Sequence, residues 1–193
     1  MRVYHNQILG NTVAYISKIY FEKTRIYPAQ MIVYKLLALL DFNSVVTKGR
    51  PCTELTYKAR KNGPVPEELY VDSEEKYNSY FITKKYTIPN GRVYKRYIAV
   101  CEPDMGYLCP SELAFLNEKL NFFIDNKFTS KMASDYSHRN IVAWERAFNN
   151  KPNSIIDYAL EFDGDIYSKE KSNLSMVEEQ FLSYNECRQS TDR

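Results

Sequence analysis

The run Met31-Ile32-Val33-Tyr34-Lys35-Leu36-Leu37-Ala38-Leu39-Leu40-Asp41-Phe42 decides how this chain folds. Wound as a helix, its apolar residues cover most of the circumference, and such a helix sits at the centre of a domain. The spacing predicts a helix from about Pro28 to Thr47. Pro28 suits a first helical position, and Lys48 followed by Gly49 suits an end. Lys35 and Asp41 interrupt the run, and no stretch approaches the ~20 apolar residues of a membrane helix. A lysine is costly to bury unpaired, so Lys35 is expected to snorkel or to find a carboxylate.

Upstream, Val13, Ile16 and Tyr20 predict a helix from about Asn11, its N-cap, to Lys23. Downstream, Gly49-Arg50-Pro51 opens an irregular region. Leu55 to Ala59 reads equally as a short strand or a helical turn. Asn62-Gly63-Pro64-Val65-Pro66 reads as a turn, and Glu67 to Tyr70 as a helical turn. Phe81–Ile88 and Arg92–Cys101, rich in Tyr, Ile, Val and Thr, read as strands joined by Pro89-Asn90-Gly91. Helices follow at Pro110–Asn126, at Ser130–Ser137 behind a Thr129 cap, and at Asn140–Asn149, where Trp144 and Phe148 meet one turn apart. Ser154 with Asp157 and Ser175 with Glu178 look like capping boxes for two further helices. The fold class is α+β, mainly α: a bundle-like helical body with an inserted antiparallel β-hairpin.

The chain has 193 residues, 44% hydrophobic and 26% charged, which fits one ordinary globular domain. Its 17 tyrosines suit half-buried positions and binding surfaces. The N-terminus, Met1-Arg2-Val3-Tyr4-His5-Asn6, has no apolar signal core, so a cytoplasmic location is expected. Cys52, Cys101, Cys109 and Cys187 form no C-x-x-C pair and read as reduced thiols. The glycines fall into no nucleotide-binding pattern, and G-x-S-x-G and H-E-x-x-H are absent. No catalytic residue, no metal site and no cofactor are expected. His138 reads as a ring satisfying backbone groups at a helix junction. Glu161, Asp163 and Asp165 lack the spacing of a calcium loop and read as a solvated helix exit.

Charge is unevenly spread. Residues Lys48 to Arg96 include 11 basic and 6 acidic side chains, net +5, while Asp157 to Arg193 include 4 basic and 9 acidic, net −5. The two regions either steer a charged partner or neutralise each other. Lys84, Lys85, Arg92, Lys95 and Arg96 crowd the predicted hairpin beside Tyr86, Tyr94 and Tyr97. Such a hairpin is either a phosphate-gripping wing or a sheet edge protected by charge.

Three stretches, taken together, carry a family resemblance. Thr12-Val13-Ala14-Tyr15-Ile16 leads to Lys35-Leu36-Leu37. Gly49-Arg50-Pro51 leads to Gly63-Pro64-Val65-Pro66 and Leu69-Tyr70. Ser137-His138 is followed by Trp144. In order and spacing, from Asn11 to Phe162, they resemble the Panacea domain, the antitoxin domain of the SocA-like family. The resemblance implies a non-enzymatic antitoxin that neutralises a toxin protein encoded in the same operon by direct binding. It implies as an alternative a protease adaptor that delivers the toxin for degradation, while the basic hairpin by its own residues keeps open a DNA-binding transcriptional regulator acting on operator DNA. Residues 1–165 would form the domain and 166–193 an acidic helical extension. The motif residues Lys35, Leu36, Gly49, Gly63, Pro64, Val65, Pro66, His138 and Trp144 would be structural. Arg50, Tyr57, Arg60, Tyr86, Tyr94 and Tyr97 are the expected toxin-binding residues, since Tyr and Arg anchor interfaces.

Overall fold

The structure is a computed structural model and describes residues 4–70, 74–87, 91 and 93–191. In chain order it contains α1 (His5–Thr24), α2 (Gln30–Lys48), β1 (Tyr57–Arg60), β2 (Gly63–Pro66), α3 (Glu67–Tyr70), β3 (Phe81–Thr87) and β4 (Val93–Ala99). Then come α4 (Pro110–Asp125), α5 (Ser130–Asn140), α6 (Val142–Asn150) and α7 (Met176–Thr191). The architecture is α+β and mainly α, with two separate antiparallel sheets of two strands each.

The predicted central helix is central. From Ile32 to Val45, α2 buries Val33, Leu36, Leu37, Leu40 and Phe42, among others. Helices α1, α4, α5 and α7 and strands β2 and β4 all pack against it. Burial of each large side chain contributes roughly 1.5–3 kcal/mol, so this helix holds most of the core together. By length and composition α2 would also pass for a membrane span, but its apolar surface faces other elements of the protein. Gly49 ends it in the left-handed region, φ +65°, with its N–H donating to Val45 O at 2.9 Å.

Helix α1 begins at His5, six residues before the expected start. Asn11 is an interior helical residue instead of a cap. Its Nδ2 donates to Gln7 O, and its Oδ1 accepts from Asp104 N at 2.8 Å, which ties the loop before α4 to α1. Thr129 caps α5 as expected, accepting from Met132 N. Ser175 and Glu178 form the expected reciprocal cap before α7, which then buries Phe181 against Phe162. The box proposed at Ser154 and Asp157 gives no α-helix. Asp157 caps only a 3₁₀ turn, Tyr158–Glu161, and Ser154 O accepts from Ala59 N at 2.8 Å. With Asn153 N on Ala59 O and Ile156 N on Tyr57 O, residues 153–156 lie along β1 like a short third strand.

The ambiguous stretch before Ala59 resolves as strand β1. The predicted turn Gly63–Pro66 is not a turn but strand β2, with Tyr57 opposite Pro66 and Arg60 opposite Gly63. The reversal itself is only Lys61-Asn62. Gly and Pro punctuate turns, yet Pro also fits an edge strand, where its missing N–H costs nothing. All four residues of β2 are buried. The second hairpin forms as expected, in register from Phe81 opposite Ala99 to Thr87 opposite Val93. Its expected turn residues Pro89 and Asn90 lie outside the described residues.

Candidate functional site

Four of the motif residues, Lys35, Gly63, Pro64 and His138, meet around one buried amine, while Gly49 packs against α7. Lys35 projects from the middle of α2 with no exposed surface. Its Nζ donates to Pro64 O at 2.7 Å, and among the described residues no carboxylate pairs with it. Lys35 therefore does neither thing the sequence led us to expect, neither snorkelling nor finding an acid. Burial alone pushes its amine down to about 7, so near neutrality it spends much of its time uncharged. An uncharged amine on one carbonyl is far cheaper to bury than an ammonium.

Gly63 makes that contact possible. Its φ is +91°, and a Cβ built there would stand 2.8 Å from Lys35 Nζ and 2.7 Å from Ser137 Oγ. Only glycine fits. Ser137 in turn donates to Ser134 O at 2.8 Å, so its hydroxyl serves the α5 backbone. The neighbouring His138 lies flat on Trp144, ring centroids 3.8 Å apart and planes within 3°. Phe148 extends the stack at 5.2 Å from Trp144. Trp144 Nε1 donates to Arg60 O at 3.0 Å, which closes the circle from α6 back to β1. Burial holds the His138 imidazole below its ordinary value, and Lys35 lowers it further when protonated.

Around this centre Arg60 stacks its guanidinium on Tyr70, 4.1 Å from the ring centroid, and pairs with Glu67 at 3.6 Å. Lys58 meets the other oxygen of Glu67 at 2.6 Å. The assembly joins α2, both strands of the first hairpin, α5 and α6. It fastens these elements to one another. Among the described residues His138 satisfies no backbone group, and its buried Nε2 has no hydrogen-bond partner there. Among the described residues no three His, Cys, Asp or Glu side chains could hold a metal ion.

A second polar centre escaped sequence analysis. Asp41, also fully buried on α2, accepts from Thr53 N at 2.6 Å, Thr53 Oγ1 at 2.5 Å and the Tyr57 hydroxyl at 2.9 Å. Tyr158 donates to Leu55 O at 2.7 Å beside it. Burial raises the Asp41 carboxyl to about 6 against the pull of these donors. Its only sequence signal was an acidic residue inside an apolar run.

The expected toxin-binding residues separate into two groups. Tyr57 and Tyr97 are core residues, 1% and 0% exposed, so neither ring is available to a partner. Strand parity explains Tyr97: it shares the inward face of the hairpin with Phe81. Arg50 and Arg60 are half-buried, and Arg50 lies 3.8 Å from the buried Glu112. Tyr86 and Tyr94 face each other across the hairpin, stacked at 5.5 Å. Of the expected nucleic-acid residues, Lys84 and Lys85 are exposed, and Lys95 and Arg96 are half-buried. Arg92 lies outside the described residues. Arg96 donates to the Tyr27 carbonyl. The acidic cluster disperses: Glu161 caps α6 through Ala143 N at 2.8 Å, Asp163 pairs with Arg146, and Asp165 takes the Ser168 hydroxyl.

No curated protein and no solved structure matches this chain. The model of the family described as "Antitoxin SocA-like, Panacea domain" matches residues 33–145, more than half of the chain. That span runs from the start of the buried α2 core through the Lys35, Gly63 and His138 contacts to one residue past Trp144. The chain belongs to the SocA-like antitoxin family of Panacea-domain proteins.

Proposed function

We propose that this protein neutralises a toxin protein encoded in the same operon by binding it directly in the cytoplasm. Family membership across residues 33–145 carries the reading. It is supported by the use of the motif residues: Lys35, Gly63, Pro64 and Trp144 are committed to internal contacts that hold a scaffold. The partner then meets side chains outside this fastening. Residues 1–165 act as the neutralising domain, with 166–193 as an acidic extension.

The test is co-expression. The open reading frame beside this gene is induced in a host alone and together with this protein. Growth arrest that this protein relieves, with both proteins recovered in one complex, is the expected result. Relief accompanied by loss of the neighbouring protein would mean delivery to a protease. Arrest that this protein cannot relieve would overturn the reading.

A further inference from the structure

We infer that the open edge and outer face of the β3–β4 hairpin receive an extended acidic segment of a partner protein, added as a third strand beside β3. The antitoxin reading supplies the partner's identity; the surface stands on the geometry.

The two edges of this sheet differ. The outer edge of β4 is occupied: Tyr97 N donates to Pro28 O, Lys95 N to Gln30 Oε1 and Ala99 N to Ser17 Oγ. These outward N–H groups fix the alternation of the ladder, so the pairs Ile82–Ile98, Lys84–Arg96 and Tyr86–Tyr94 exchange the bonds between the strands. The N–H and C=O groups of Thr83, Lys85 and Thr87 therefore point away from β4. Among the described residues nothing takes them up. An unpaired strand edge is a template for another strand.

The side chains define what that strand carries. Lys84 lies directly opposite Arg96, and Lys85 opposite Lys95. Like charges in direct register weaken a hairpin, so Lys84 opposite Arg96 is not chosen for its stability. Among the described residues neither Lys84 nor Lys85 has a carboxylate partner. Lys84 and Arg96 flank the stacked Tyr86 and Tyr94, the arginine 5.4 Å from the Tyr94 centroid. Ile82 and Val100 lie exposed farther along, 42% and 47% accessible. Side chains of an added strand alternate between faces, so its acidic residues meet Lys85 on one face while its apolar residues cover Ile82 and the aliphatic stem of Lys84 on the other. Duplex DNA would use neither the strand edge nor the aliphatic pair, and the Arg96 guanidinium it would want is already held by Tyr27.

The probe is an acetylated nine-residue peptide of alternating valine and glutamate, titrated into the ¹⁵N-labelled full chain. Amide shifts centred on Thr83, Lys85 and Thr87, weakened by salt and absent with a valine–lysine peptide, are expected. Two variants separate edge from charge. Lys85→Pro removes an N–H the fold does not use and breaks the edge; Lys84→Glu/Lys85→Glu reverses the charge. Each should weaken the peptide, and the co-encoded partner, about tenfold or more while the remaining amide spectrum stays unchanged. Shifts that miss β3, or equal affinity in both variants, would overturn the inference even if the partner still binds. So would protection of the hairpin by a duplex but not by the peptide, or by rising concentration of this protein alone. Peptide shifts on β3 beside a neighbour that neither arrests growth nor binds would sustain the surface and sink the antitoxin reading alone.

Discussion

Two hairpins of similar make serve opposite ends. The first, β1–β2, is short, carries two prolines in four residues and is sunk into the body. Its carbonyls hold a buried lysine and a tryptophan. The second, β3–β4, is seven residues a side and places cation against cation across its ladder. One hairpin spends its polar groups inside the fold; the other leaves the β3 edge and, among the described residues, Lys84 and Lys85 without a carboxylate. On the proposed reading, the first sheet serves stability and the outer face and open edge of the second serve recognition, while Phe81 and Tyr97 on its inner face still belong to the core.

That contrast can be broken first at Trp144. Trp144→Ala removes the His138 stack and orphans the Arg60 carbonyl, and should destabilise the protein by about 3–5 kcal/mol in urea unfolding. Gly63→Ala should cost about 2–3 kcal/mol, because its Cβ meets Lys35 Nζ and the φ is wrong for alanine. A loss under ~1 kcal/mol would mean that β2 gives way easily, and the contrast would weaken.

Proton linkage sharpens the same point. Lys35 is at about 7 folded and 10.5 unfolded, so the unfolded chain holds the extra proton between those values. Stability contributed by Lys35 therefore rises with pH across that window and is lost as pH falls through about 7. Asp41 is at about 6 folded and 3.8 unfolded, so the folded chain holds the extra proton and stability falls as pH climbs between them. Wild-type profiles minus those of Lys35→Met and Asp41→Asn should give slopes of opposite sign, up to about 1.4 kcal/mol per pH unit each, with a trough between pH 6 and 7. Flat differences would mean that both groups stay solvated.

The smallest effect belongs to the second hairpin. Lys84→Glu turns a repulsive cross-strand pair with Arg96 into an attractive one, and should raise stability by about 0.2–1 kcal/mol in thermal melts. A loss of stability there would mean that the lysine already serves the fold.

Much of this was legible in the sequence. Helical periodicity placed α2 and α4, Thr129 and Ser175 marked the starts of α5 and α7, and β-rich composition gave the second hairpin. The misread stretches share a cause: the same residue types serve two structures. Gly63-Pro64-Val65-Pro66 has the composition of a turn and the geometry of an edge strand. Tyr57 and Tyr97 have the composition of an interface and the burial of a core. The site's parts were visible as motif residues, but their meeting was not. Lys35, Pro64 and Ser137 lie far apart in the chain, and only the packed fold brings the amine, carbonyl and hydroxyl together. Asp41 is the extreme case, since its neighbour Tyr158 comes 117 residues later.

The position of α2 also shapes how the protein is made. Its apolar faces are complete once Lys48 has been synthesised, but the helices that cover them, α4, α5 and α7, follow over the next 143 residues to Thr191. At ribosomal speeds of about 5–20 residues per second, the helix waits roughly seven to thirty seconds for its cover. During that interval it offers a nineteen-residue hydrophobic segment near the emerging N-terminus, long and apolar enough to be mistaken for a membrane anchor. Yield in a foreign host should therefore follow chaperone supply and translation rate more closely than the equilibrium stability of the finished fold.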